Sequence, residues 1–264
     1  VAFRFVIAFL LLATLFHRRI MQSSPGIVSA GIVTGGTLCA GFIFQTIGLQ
    51  YTTPMKSAFI TATYVVLVPL LLFALSKQRL RAPTMAGAAV TFCGLCLLNM
   101  PSGRFVLGIG DLLTLLCTLG FASHIIAVGY YAPRHGMASL TVWQIGAAAG
   151  FVILATPLAH FSGIEPIKLV WTTRLILALL VTGGLATALA FSLQTWAQQF
   201  TTPTHTAIIY ALEPVFAALA SYLILAEKLS GLALLGAGLI LAGVIVAELR
   251  AIPKLKIPVT HTSR

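Results

Sequence analysis

Glu213 is an acid inside an apolar run, ALEPVFAALASYLIL from Ala211 to Leu225, with no basic residue within a turn. It is expected about 12 Å into its helix at roughly 1.5 Å per residue. A lone carboxylate at bilayer depth is costly and almost always faces a bundle interior or a wet cavity. Two roles fit: a proton carrier or solute contact, and a protonated structural acid bonded to a neighbouring helix.

Other residues, near helix ends, are suited to holding a small polar solute. Gln45 and Gln194, Thr46 and Thr195, and Trp196 bring amides, hydroxyls and an indole, while Phe42, Phe191, Tyr64 and Tyr210 offer apolar cover. The same polar groups also serve as helix-to-helix glue. His124 falls mid-span, where an imidazole either relays protons or bonds a carbonyl. Lys56 and His205 open their helices as snorkelling anchors or anion screens.

Helix breakers recur at matching depth: Gly35 and Gly36 against Gly183 and Gly184, and Pro69 against Pro214, the prolines one turn out of register. Matched interruptions in two halves are the best sequence pointer to a carrier's binding site. Gly31 with Gly35 and Gly146 with Gly150 form GxxxG patterns that let helices approach.

Catalytic and metal-binding chemistry find little support. HExxH, GxSxG and GxxxxGK motifs are absent. Gly108 to Asp111 spells GxGD, but Asp111 is the sole aspartate, so a two-aspartate mechanism is excluded and Asp111 reads as a helix-opening acid. Cys39, Cys93, Cys96 and Cys117 sit in apolar runs without metal-ligand neighbours. No catalytic residue, metal or cofactor is expected.

The elements that must carry these groups are dictated by composition. Of 264 residues, 59% are apolar and 8% charged, against about 25% charged in a soluble domain. At about 20 residues per crossing, the chain is expected to be an all-α polytopic membrane bundle. Long runs that are apolar on every face exclude a β-barrel, which needs alternating ten-residue segments. The net charge of +11 is scattered over short loops, without the basic arm or aromatic-laced patch of a nucleic-acid binder. Apolar runs bounded by Pro, Gly and charge give nine spans: 1–16, 27–49, 55–75, 84–100, 110–131, 138–159, 172–195, 204–226 and 231–248.

A shift of 149 positions reveals a repeat. Ten of 22 positions are identical between 41–62 and 190–211, including Gln45 with Gln194 and Thr52-Thr53-Pro54 with Thr201-Thr202-Pro203. The same register pairs Gly35 with Gly184, Leu80 with Leu229, Gly87 with Gly236 and Gly94 with Gly243. The span at 110–131 then requires a partner before Val1, so ten helices are inferred, five per unit: 1–101, 102–249 and a tail at 250–264. An odd number of spans per unit inverts the second copy relative to the first. Alternating loops place Arg18, Arg19, Lys77, Arg79, Arg81, Arg134, Arg250, Lys254, Lys256 and Arg264 on one side and Lys56, Arg104, Lys168, Arg174 and Lys228 on the other, with Arg4 inside a span. Ten against five makes the first side, with the C-terminus, cytoplasmic.

These features resemble the drug/metabolite transporter superfamily, in its ten-helix EamA-like branch. The resemblance rests on ALEPVFAALASYLILAEKLS from Ala211 to Ser230, on Gly110-Asp111-Leu112-Leu113 at the start of the sixth helix, and on Arg4-Phe5 in VAFRFVIAFLLLA, similar to the second helix. Three departures stand out: no counterpart of the first helix, the displaced Pro69, and Gln78 where the second copy has Glu227. The resemblance implies a multi-pass inner-membrane secondary transporter that exports amino acids or related small metabolites. Its expected partners are a small-molecule solute, protons and the lipid bilayer, with no nucleic acid and an open oligomeric state. A multidrug or sugar-type carrier, or a membrane enzyme or non-transporting subunit on the same scaffold, is the alternative.

Overall fold

The computed structural model describes residues 1–21, 24–77, 81–98, 108–161, 171–225 and 230–248. Gln78, Arg79, Leu80, Arg104, Lys168, Glu227, Lys228, Leu229 and the 250–264 tail lie outside the described residues. The first unit supplies α1 (Ala2–Leu15), α2 (His17–Met21), α3 (Ile27–Gly48), α4 (Pro54–Ala62), α5 (Tyr64–Ser76) and α6 (Ala82–Leu98). The second supplies α7 (Ile109–His135), α8 (Met137–Phe161), α9 (Thr173–Leu180), a π-helical segment (Val181–Leu189), α10 (Ala190–Ala197), α11 (Pro203–Tyr210), α12 (Glu213–Leu225) and α13 (Gly231–Glu248).

The protein is an all-helical bundle, as expected. Among the described residues six stretches are long and apolar enough to cross a membrane: Ile27–Gly48, Pro54–Ser76, Ile109–His135, Met137–Pro157, Thr173–Ala197 and Pro203–Ile224. Three shorter apolar helices, Ala2–Leu15, Ala82–Leu98 and Gly231–Ala247, fall on the remaining expected spans. Helices are the solution because hydrocarbon offers backbone groups no partners, so each span must satisfy its own.

The repeated Thr-Thr-Pro shows how the sequence sets a boundary twice. Thr53 caps α4 by accepting from the Lys56 amide at 3.3 Å, and Thr202 caps α11 by accepting from the His205 amide at 3.3 Å. Pro54 and Pro203 follow at the first helical position, where no amide hydrogen is needed. At the other kind of boundary, Gly136 alone links α7 to α8, with a φ of 74° that disfavours any side chain.

The two units meet along α6 and α13, which the 149-residue register makes equivalent. A methyl group placed on Gly87 would lie 2.7 Å from the Gly243 carbonyl oxygen, and one on Gly94 2.7 Å from that of Gly236. The contacts obey the repeat: Gly87 is the counterpart of Gly236, and Gly94 of Gly243, so each pair is the other with the copies exchanged. Gly87 against Ala247 likewise mirrors Gly236 against Leu98, and Gly94 against Ile240 mirrors Gly243 against Thr91. As one number rises the other falls, so the helices are antiparallel. The axis exchanging them is perpendicular to both, hence in the membrane plane.

α3 runs against α7 and α8 on a similar rail of small residues. A methyl on Gly31 would meet the Trp143 backbone at 2.9 Å, one on Gly35 would clash with the Gln144 carbonyl, and one on Gly120 would meet the Gly41 amide at 2.7 Å. Gly35 and Gly36 therefore do not interrupt α3; Gly35 admits α8. A helical glycine costs only about 1 kcal/mol, less than breaking backbone hydrogen bonds in lipid. Gly183 and Gly184, by contrast, do lie in irregular helix, the π segment.

Filling the α6–α13 seam is expected to destabilise the fold. Gly94→Leu, overpacked against the Gly236 carbonyl and Ile240, should cost at least about 1–3 kcal/mol and lower the thermal unfolding midpoint of the detergent-solubilised protein by several degrees. Gly238→Ala on the open face of α13, with nothing within 4 Å, should leave that midpoint unchanged or raise it.

Candidate functional site

Both copies break one span at the same position. In the first, Thr63 separates α4 from α5; in the second, Ala211 and Leu212 separate α11 from α12, and Thr63 plus 149 is Leu212. The second break follows from Pro214, which cannot donate to the Tyr210 carbonyl four residues back. The first has no proline at that point. There the Ile60 carbonyl draws in the Thr63 amide at 3.1 Å, the Thr63 hydroxyl at 2.6 Å and, from α7, the Thr118 hydroxyl at 3.2 Å. Pro69 lies beyond the break, buried inside α5.

The residue that opens the half-helix after each break is chemically different: Tyr64 in the first copy, Glu213 in the second. Glu213 is thus not deep within a continuous helix, as the sequence led one to expect, but is the first residue of α12. The N-terminal end of a helix favours negative charge through its unpaired amides. Tyr64 is buried among Val68, Ala122, Ile125 and Ala207, with Tyr210 packed against this group. Glu213 is exposed and within electrostatic reach of both Tyr64 and Tyr210. The structure therefore brings Glu213, Tyr64 and Tyr210 together.

A second group forms where α1, α3, α7, α8 and α10 converge. The Phe42 ring lies edge-on to Phe5 and Phe121, each with centroids 5.2 Å apart, and 6.5 Å from Phe191. His124 sits edge-on to Phe191 at 5.7 Å and donates from Nδ1 to the Thr34 carbonyl at 2.9 Å. The Gln194 side chain approaches the same ring. Gln194 donates to Gln198 Oε1 at 3.1 Å, and Gln198 donates to the Ile125 carbonyl at 2.9 Å. Gln144 donates to the Thr195 hydroxyl at 3.0 Å, while its own Oε1 is buried without a partner among the described residues. Amide and hydroxyl groups here hold helices together and leave acceptor capacity unused.

The remaining sequence candidates make other contacts. Trp196 is exposed and stacks edge-on with Phe200 at 5.7 Å. Gln45 is half-buried near the end of α3, and the Thr46 hydroxyl is spent on the Phe42 carbonyl at 2.7 Å. Among the described residues no cluster of His, Cys, Asp and Glu is arranged to hold a metal.

Lys56 is engaged in an ion pair that the sequence did not foretell. Its ammonium pairs with Asp111, which is 1% exposed. The other contacts of the same carboxylate are the Thr52 hydroxyl at 2.7 Å and the Gly108 amide at 2.8 Å. This closes the start of α7 in the second unit onto the start of α4 in the first, over 55 residues of sequence. The helix-opening role of Asp111 was legible; its cation was not.

Arg4 is the residue that sequence reasoning passed over, noted within a span but assigned no role. Its Nε donates to the Thr187 hydroxyl at 2.9 Å, and its guanidinium carbon lies 4.5 Å from the Phe42 ring centroid. Thr187 belongs to the π segment. The tetrapeptide Val33-Thr34-Gly35-Gly36 recurs as Val181-Thr182-Gly183-Gly184 at a shift of 148, whereas Phe42 and Phe191 stand at 149. The second copy thus carries one extra residue between these points, inside Val181–Leu189, and the wider helical turn absorbs it.

Antiparallel copies exchanged about an in-plane axis, with matched helix breaks, define a multi-pass membrane protein of inverted-repeat architecture. The EamA-like transporter family model matches residues 1–100 and 108–249, and the chain belongs to that family. An uncharacterized transporter of Archaeoglobus fulgidus is 39% identical over 210 residues, 80% of this chain and 65% of that relative. The chain therefore spans slightly under two thirds of its length. A solved crystal structure is similar in fold with a TM-score of 0.77, covering 94% of this chain and 85% of that one at 21% identity.

The Lys56–Asp111 pair yields a stability prediction. Asp111→Ala strips three donors of their acceptor and should cost about 2–4 kcal/mol, in the range for breaking a buried charged contact. The double variant Lys56→Met, Asp111→Leu should unfold at a higher temperature than Asp111→Ala alone, because no unpaired ammonium remains.

Proposed function

We propose that the protein is a secondary transporter that moves small metabolites such as amino acids out of the cell by alternating access, without covalent chemistry. The single observation that carries this reading is the pair of equivalent breaks, with Tyr64 and Glu213 opening corresponding half-helices on two inverted units. Discontinuous spans place helix ends at bilayer depth, where a solute or coupling ion replaces the missing backbone partners. Rocking of the units about the α6–α13 seam exposes that region to each side in turn.

Glu213 is the coupling candidate, with the Tyr64 and Tyr210 hydroxyls as its neighbours. Phe42, Phe191, His124, Gln194 and Gln45 are proposed for the solute side, with hinge roles at Gly183, Gly184, Pro69 and Pro214. Membership of the EamA-like family and likeness to a relative named as a transporter support the assignment. The bias of Lys and Arg between loops supports an inner-membrane location with a cytoplasmic C-terminus.

Flux of amino acids from proteoliposomes containing the full chain tests the proposal. Glu213→Gln, which keeps shape but removes the titrating group, is expected to lower flux at least tenfold and flatten its pH dependence. Tyr64→Phe should lower flux several-fold without altering folding. Parental flux and an unchanged pH response in Glu213→Gln remove Glu213 from the mechanism, and no flux of any solute by the parent overturns the function.

A further inference from the structure

We infer that Arg4 is the recognition point for an oxyanion group of the solute, a carboxylate first among them. This deepens the function proposed above and rests on it for the word solute. Arg4 lies in the first turn of α1, yet the Thr187 hydroxyl it reaches is near the middle of the span Thr173–Ala197. An arginine at that depth is costly and needs an anionic or carbonyl partner.

No such partner is found among the described residues. The guanidinium has five N–H donors, and among the described residues only Nε is bonded, to Thr187 Oγ1. Neither Nη atom hydrogen-bonds to a described residue, and no carboxylate pairs with Arg4 among those residues, where the single ion pair is Lys56–Asp111. The side chain is half-buried, so it is not simply immersed in water. Bonding through Nε fixes the plane and leaves the two Nη groups as an end-on fork. That fork matches the two oxygens of a carboxylate, which a lysine ammonium cannot do.

The surroundings orient it. Phe42 lies under the guanidinium at 4.5 Å and Phe5 at 5.6 Å, and Phe121 and Phe191 continue the aromatic wall beyond Phe42. Cation–π contact holds the charge without neutralising it, and the rings offer apolar cover for a solute body attached to the carboxylate.

The π segment is a separate observation leading to the same place. Thr187 is in the turn that absorbs the extra residue of the second copy, and its hydroxyl donates five residues back to the Thr182 carbonyl at 2.7 Å, so it can only accept from Arg4. α1 approaches this turn closely because Gly183 has no side chain: a methyl there would lie 2.9 Å from Ile7 and 3.2 Å from the Arg4 carbonyl. The corresponding α3 is regular, and the residue equivalent to Arg4 in the second copy is Ile153. Arginine, threonine and widened turn thus occur once, breaking the symmetry on one side of the bundle.

Equilibrium binding to the purified, delipidated full chain tests the inference without requiring transport. The probes are leucine and phenylalanine, each compared with its amide, and dihexanoyl phosphatidylglycerol as the lipid source of an oxyanion. Expected are binding of at least one amino acid, at least tenfold weaker binding of its amide, and loss of that preference in Arg4→Gln. Arg4→Lys should retain the fold and bind at least tenfold more weakly than the parent, and Thr187→Val should weaken binding several-fold. Equal affinity for acid and amide, an unaltered preference in Arg4→Gln, binding of the lipid alone, or no binding by either amino acid each overturns the inference. Selective binding without flux in liposomes overturns the transport function and leaves the oxyanion site standing.

Discussion

The close approach of α6 and α13 is the contact on which the architecture depends. Four glycines, Gly87, Gly94, Gly236 and Gly243, let two backbones meet where lipid supplies no hydrophobic drive for association and packing must provide it. Because the two helices are copies of each other and antiparallel, their seam fixes the orientation of everything attached to them. Each unit is inverted with respect to its partner, and the broken spans are presented in equivalent places. A side chain at any of the four positions would push the units apart at the axis about which they are related.

Symmetry built this way supplies a scaffold but not a preference, because equivalent sites would be chemically alike. The departures from symmetry make the two copies chemically different. Tyr64 faces Glu213 across the repeat, so one half-helix begins with a weakly polar hydroxyl and the other with an acid. α3 is an uninterrupted helix, while its counterpart takes an extra residue and widens around Thr187. Gly35 and Gly183 come from the same Val-Thr-Gly-Gly tetrapeptide but serve different neighbours, Gln144 in α8 and Ile7 in α1. Identical local sequence therefore gives regular helix in one copy and π helix in the other, decided by the residue count that follows.

Much of the architecture was legible because lipid restricts the options. Apolar run lengths gave the spans, and Thr-Thr-Pro carries its own boundary through a threonine cap and a proline at the first helical position. The 149-residue register even anticipated the Gly87–Gly236 and Gly94–Gly243 equivalences, although not that the contacts would cross-pair them. What escaped were features with no local signal. The break at Thr63 arises from hydroxyls gathering on one carbonyl, one of them from α7, and a threonine is ordinary in any helix. Lys56 finds Asp111 only through tertiary proximity. Glu213 was recognised as an isolated acid, but its position at a helix start became visible only once the break was placed. The π segment did leave a trace, the change from 148 to 149, which a single fixed register conceals.

Three charged groups of the described bundle, Asp111, Arg4 and Glu213, differ in how far they are satisfied. Asp111 is saturated, with a cation, a hydroxyl and a backbone amide on one buried carboxylate, and such a group gains nothing further from a ligand. Its work is to tie the units together at one membrane face. Among the described residues Arg4 and Glu213 are incomplete: the first has one of five donors bonded, and the second is exposed near two phenols. A fold stabilised only for its own sake would replace both with apolar residues, since an unpaired charge in a bundle costs more than the packing it displaces. Their partial solvation makes sense if the missing interactions are made and broken in turn by something that passes through.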